Sequence, residues 1–403
     1  KLIKSSWDEA IETICKKINS IDSNNIGAHV GDMVGLENIF AFRNFLSKIK
    51  CDNYEFREKN FYINSSDKTN YLFNSSIKGI EDSDLILLVG CNPRHEATMV
   101  NARIRKVFSN NKTPIYSIGD PGDLTYEYNI VGKTTQDLKD IIDGKSHFNK
   151  QFLSSKKPIV IIGESALEME SGQFIFEEIK EFLLKNNFIN ENWNALNILI
   201  QNASTVGCLD LNFFSSKNLN ESDFFDKIKN NKFELIYLLG SDNLEINKKD
   251  EFIIYQGSHG DRGAEVADII LPSPAYTEQN SLFINLEGRV QECRKASYPP
   301  GESMEDWKIF NLISKNLKNE KLFYKYEDLK KSTIKEIINF SEIDLLPKKI
   351  LKNNKKINFH FNNEKIIINK IDYYFTNAVA RASKTMSDCR KISLNLLKEG
   401  TNN

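Results

Sequence analysis

Short apolar runs punctuate the chain: Asp84–Gly90 (DLILLVG), Thr113–Gly119 (TPIYSIG), Pro158–Gly163 (PIVIIG) and Leu196–Gln201 (LNILIQ) in its first half. Phe233–Gly240 (FELIYLLG), Phe252–Gln256 (FIIYQ) and Asp268–Pro272 (DIILP) follow. They are apolar at consecutive rather than alternating positions, and most are bounded by Gly or Pro, as a strand buried on both faces requires. Between them apolar residues return at helical spacing. Ala97, Val100, Ile104, Val107 and Phe108 do so after Pro93; Phe174, Ile175, Ile179, Phe182 and Leu183 share one face, as do Trp307, Phe310, Ile313 and Leu317. Ser6-Trp7-Asp8-Glu9 offers a Ser cap and early acids to an N-terminal helix. Strand–helix alternation of this kind predicts an α/β fold, doubly wound, with mainly parallel sheets covered by helices.

The same pattern suggests a division into lobes. Residues 1–150 read as a first α/β lobe, with the polar stretch Gly144–Lys157 as linker into a second, Rossmann-like lobe over 151–247. Residues 248–320 return to complete the first lobe. A C-terminal extension, 321–403, holds a Lys- and Asn-rich connector at Lys348–Lys356 and an amphipathic helix within Ile371–Leu397. No repeat of solenoid period is present.

Composition narrows the class. The chain has 403 residues, enough for more than one lobe. Its 54 Lys plus Arg nearly balance 55 Asp plus Glu, which gives no argument for a nucleic-acid or polybasic membrane partner, and none is expected. The longest apolar stretches, Leu85–Val89 and Ile159–Ile162, fall far short of the roughly 20 residues of a membrane-spanning helix. The cysteines (Cys15, Cys51, Cys91, Cys208, Cys293, Cys389) form no Cys-x-x-Cys pair, so no zinc or iron–sulfur site is legible, and they read as reduced thiols. The chain starts at Lys1 without an apolar leader, which reads as a cut through a longer protein.

Chemistry is sparse. The turn Gly90-Cys91-Asn92-Pro93-Arg94 joins a buried strand to a helix, where phosphates bind in doubly wound sheets, but it lacks both Gly-x-Gly-x-x-Gly and P-loop spacing. In Gly257-Ser258-His259-Gly260-Asp261-Arg262-Gly263, His259 with Asp261 could polarise a substrate; a hydrogen-bonded structural histidine is the commoner outcome. Glu278 and Glu287 flank a hairpin-like stretch and read as turn residues before they read as an acid–base pair. No Gly-x-Ser-x-Gly elbow supports a catalytic triad. From residues alone the reading stops at an α/β protein with at most one nucleotide site.

Read as strings, the same segments say more. Asp84–Lys106 (DLILLVGCNPRHEATMVNARIRK) and Gly257–Gln291 (GSHGDRGAEVADIILPSPAYTEQNSLFINLEGRVQ) resemble two signatures of the 75-kDa iron–sulfur subunit family of respiratory complex I, the NADH-quinone oxidoreductase. Ser6–Ala10 (SWDEA), Gly31-Asp32-Met33-Val34 and Asp372–Cys389 (DYYFTNAVARASKTMSDC) fit the same family, so the resemblance runs end to end.

That resemblance implies a molybdopterin oxidoreductase-like pair of lobes around a vestigial bis-pterin-guanine-dinucleotide site, near Gly90, Asn92, Pro93, Arg94, Gly257, His259 and Asp261. In molybdenum enzymes of the superfamily a Cys, selenocysteine or Ser holds the metal shortly after the helix matching Glu37–Lys48. The slot falls here near Lys59-Asn60-Phe61, with no thiol or hydroxyl, and Cys51 lies too early. The resemblance further implies no catalytic residue, metal or cofactor in this piece. It places 2Fe-2S and 4Fe-4S clusters upstream of Lys1, peripheral-arm partners such as the NADH-binding flavoprotein module, and a location at the cytoplasmic or matrix face of the membrane. Two other readings stand beside it: a working molybdopterin oxidoreductase of the formate dehydrogenase or nitrate reductase kind, and a free-standing nucleotide-binding module.

Overall fold

The computed structural model describes residues 2–215, 220, 222–318, 320–338, 340–347 and 360–398. Every apolar run predicted as a strand is one. Two five-stranded sheets, each wholly parallel, carry the fold. The first is built from β1 (Ile26–Val30), β2 (Asn53–Glu55), β8 (Leu235–Leu239), β9 (Phe252–Gly257) and β10 (Ile269–Pro272), in the order β10-β9-β8-β1-β2. The second contains β3 (Leu85–Val89), β4 (Ile115–Ile118), β5 (Asn129–Gly132), β6 (Pro158–Gly163) and β7 (Leu196–Leu199), in the order β5-β4-β3-β6-β7. A short antiparallel hairpin, β11 (Ser281–Ile284) with β12 (Val290–Cys293), completes the strands among the described residues.

The sheets are nested in sequence. Strands β3 to β7 form one contiguous block inserted between β2 and β8. The division expected at residue 150 therefore does not match the sheets: β3 and β6, one on each side of it, are hydrogen-bonded neighbours. The reason is visible in the stretch taken for a linker. His147–Leu153 is a helix that buries Phe148 and Phe152, so Gly144–Lys157 connects two strands of one sheet. The change of sheet comes instead over 56–84, which contains no strand of either sheet. Lys348–Lys356 lies outside the described residues.

Helices cover the sheets as their spacing predicts. Trp7–Ser20 opens with a capping box, the Ser6 hydroxyl accepting from the Glu9 amide while the Glu9 carboxylate accepts from the Ser6 amide. Leu36–Lys48 is buried along nearly its whole length. Its Phe42 stacks within 5.1 Å of the Tyr237 and Phe310 rings and 5.9 Å of Phe213, an aromatic cluster joining the first sheet to the helix Asp306–Asn316. The helix after Pro93 breaks at Ala97 into Pro93–Glu96 and Thr98–Asn111. Near the C-terminus, Ala378–Ala382 and Lys384–Lys398 supply the expected helical segment.

Candidate functional site at the carboxyl ends of two sheets

A doubly wound sheet binds ligands beyond the carboxyl ends of its strands, where the winding reverses. In the first sheet that switch point lies between β1 and β8; in the second, between β3 and β6. Both are closed backbone to backbone by glycine. A Cβ on Gly31, just after β1, would lie 1.7 Å from the Gly240 carbonyl oxygen; one on Gly163, ending β6, would lie 2.5 Å from that of Gly90. Only glycine permits either approach.

The cleft facing the second sheet is lined by acids. Asn92 caps the short helix Pro93–Glu96, its side chain accepting from the His95 amide and donating to the Pro121 carbonyl. The Asn92 amide, which would face a phosphate, instead donates to Glu96 Oε1 at 2.6 Å. Arg94 points away, paired with exposed Asp123. Glu164, half-buried just beyond β6, accepts from the Gln201 amide at 2.9 Å. Burial first, then the neighbouring carboxylates of Glu96, Glu168 and Glu58, push it up to about 8; burial also pushes Glu96 up to about 7. Internal carboxylates therefore occupy the backbone donors that phosphates use in nucleotide sites.

At the first sheet a pocket of about 60 Å³ is lined by Asp32, Gly240, Asp242, Tyr255, Gly257, His259, Ala378 and Val379, among others. Burial pushes Asp32 up to about 7 and Asp242 up to about 6, and the Arg381 guanidinium draws both part of the way back. Arg381 Nε donates to Asp261 Oδ2 at 2.5 Å. His259 Nδ1 lies 2.9 Å from the Ser258 hydroxyl. The structure thus separates the His259–Asp261 pair the sequence offered: Asp261 is spent on Arg381, a partner about 120 residues away that no local motif could reveal. Glu278 and Glu287 hold turns, accepting from the Ala275 and Ile77 amides respectively.

The slot named for a metal ligand sits in a buried salt-bridge corner. Arg57 bridges Glu55 at 2.9 Å and donates to the Phe61 carbonyl at 2.7 Å, while Lys59 and Asn60 face solvent. Glu58 accepts from Asn243 at 2.7 Å. Among the described residues no group of three or more His, Cys, Asp or Glu is arranged to hold a metal ion.

The model of the family described as molybdopterin oxidoreductase matches residues 1–316, most of the chain. The chain belongs to the molybdopterin oxidoreductase family. A second model, for the C-terminal part of the G-type subunit of NADH-ubiquinone oxidoreductase, matches residues 351–389. The chain is 36% identical to the NADH-ubiquinone oxidoreductase 75 kDa subunit of Reclinomonas americana over 96% of its length, covering 58% of that protein. It is 35% identical to the corresponding NADH-quinone oxidoreductase subunit of Rickettsia bellii, covering 56% of that protein. The chain thus spans little more than half the length of these curated relatives, and they bear out the resemblance to the 75-kDa subunit read from the sequence. Among solved structures, a chain of the formyltransferase/hydrolase complex from Methylorubrum extorquens shares the fold, with a TM-score of 0.56, 11% identity, and coverage of 78% of this chain and 96% of that one.

Family membership raises the question of a molybdenum–pterin cofactor, and the residues present do not fit one. A dinucleotide's phosphates need free backbone donors, and at the second switch point Glu96 and Glu164 already accept from the Asn92 and Gln201 amides. Small-molecule pockets run to about 300–1,000 Å³; the space at the first switch point is about 60 Å³. Neither thiol nor hydroxyl stands at 59–61.

Proposed function

We propose that this chain is the large domain of the 75-kDa subunit of an NADH-quinone oxidoreductase, a non-catalytic scaffold in the peripheral arm of respiratory complex I. The observation that carries the reading is the order of the two family matches: molybdopterin oxidoreductase over 1–316, then the C-terminal piece characteristic of that subunit over 351–389. The relatives' names support it. The unsuitable cleft supports the absence of catalysis.

On this reading the domain supports 2Fe-2S and 4Fe-4S clusters carried upstream and docks beside the NADH-binding flavoprotein module. It lies peripherally, at the cytoplasmic face of a bacterial inner membrane or the matrix face of a mitochondrial one. Among the described residues no helix is long and apolar enough to cross a membrane, which is compatible with that placement.

A tagged full-length protein, expressed in its own host and run on native gels, tests the assignment. It is expected to migrate with NADH dehydrogenase activity and to cross-link to the flavoprotein subunit. Recovery as a free species carrying one molybdenum and its pterin per chain would overturn it.

A further inference from the structure

Residues 360–382 run past the carboxyl ends of both sheets. Beside the second sheet, Lys365 bridges Thr134 in antiparallel fashion and the Ile366 amide donates to the Lys133 carbonyl at 2.9 Å, just beyond β5. The segment then passes Gly119, against which Ile366 packs, and reaches the short helix Glu164–Leu167 that follows β6. There the Asn369 amide donates to the Ser165 hydroxyl at 3.0 Å and its side chain donates to Glu168 at 2.7 Å.

The segment next arrives at the first sheet. Asn377 caps the helix Ala378–Ala382, and Ala378 and Val379 become part of the pocket wall. Arg381, with its side chain 14% exposed, extends toward Asp261, 18% exposed. Its Nη1 donates to the Phe375 carbonyl at 3.1 Å, which fixes the guanidinium plane. Arg381 Nη2 and Asp242 Oδ1 are both buried and make no direct hydrogen bond among the described residues, so a donor and an acceptor are both left over around this end of the sheet. A planar cation facing several half-buried carboxylates is the complement such a pocket selects, and guanidinium suits it better than a compact ammonium.

We propose that Asp261, with Asp32 and Asp242 beside it at the edge of the switch-point pocket of the first sheet, forms a guanidinium-binding site, and that its ligand is Arg381 of the chain's own C-terminal segment. The segment thereby acts as a strap across the carboxyl end of the first sheet, walling its pocket with Ala378 and Val379. Asp261 supplies the direct contact, and Asp32 and Asp242 lie near enough to feel the guanidinium. None of this depends on which complex the chain joins.

The test uses the full-length protein carrying Arg381→Ala. Hydrogen exchange of the amides at 372–382 is expected to accelerate at least tenfold. Millimolar methylguanidinium is expected to bind this variant saturably and to slow that exchange again, whereas methylurea, its neutral counterpart, does neither. The wild-type protein, with its site filled, binds neither probe. Asp261→Asn serves as the second variant, since it keeps Arg381 yet is expected to loosen the same amides. Unchanged exchange in both variants would overturn the proposal, as would methylguanidinium binding that survives Asp261→Asn in the Arg381→Ala background.

Discussion

Single side chains set the character of the cleft. Glu164 shows it most clearly, because its carboxyl is buried and pushed from an ordinary value near 4.5 to about 8. Between those pH values the unfolded chain has released the proton and the native chain holds it. The native state then binds more protons, and stability falls as pH rises through the interval before levelling off. Replacing Glu164 by Gln removes this slope: thermal unfolding from pH 5 to pH 8 is expected to show a shallower decline than in the wild type and a higher midpoint at pH 8. Arg57 makes the opposite case. It neutralises Glu55 where both side chains are wholly buried, so Arg57→Met strands a carboxylate and is expected to cost about 3–5 kcal/mol in urea unfolding. None of these partners was legible in the sequence. Glu164 follows a Gly in a commonplace turn, and Arg57 looks like one surface charge among several in EFREK.

Elements were far easier to read than contacts. Parallel strands buried on both faces are largely apolar at consecutive positions, so β3, β4 and β6 to β10 announced themselves despite Ser117, Asn197 and Gln256. The strands that escaped notice lack such a run for physical reasons. β1 carries His29 in a central position, tolerable only because Ser241 lies 2.7 Å from one ring nitrogen and the Arg57 carbonyl 2.9 Å from the other. β2 is three residues long, and β5 is an edge strand with exposed positions. The helix His147–Leu153 hid among Lys, Ser and Asn, yet Phe148 and Phe152, four apart, were its signal. The helix Leu36–Lys48 is the element on which packing depends most. Phe42→Ala there removes a ring fully enclosed by other rings and is expected to destabilise by about 3–5 kcal/mol in urea, whereas Phe42→Leu should lose much less.

At the scale of the whole molecule, burial sorts the thiols. Cys15, Cys51, Cys91 and Cys208 are buried and Cys293 and Cys389 partly exposed. Burial pushes Cys15 up to about 11 and Cys51 up to about 12, and Cys91 and Cys208 well above the ordinary range. A thiol reagent at pH 8 is therefore expected to modify Cys293 and Cys389 rapidly in the native protein, and all six cysteines only after denaturation. Rapid reaction at Cys91 would contradict the packing around the second switch point. The fold class and the family came through the sequence because they reside in runs and strings. The lobe boundary did not, since a polar stretch marks a surface crossing without saying which sheet continues beyond it.

The nesting of one sheet inside the other bears on how the protein is made. As the chain leaves the ribosome, the block from β3 to β7 emerges complete and can close its own sheet early. The earlier β1 and β2, with the apolar helix between them, find no β8 to pair with until the whole insert has been synthesised. During that interval the nascent first lobe exposes the aromatic face around Phe42, which makes it the part of the newborn chain most in need of chaperone protection.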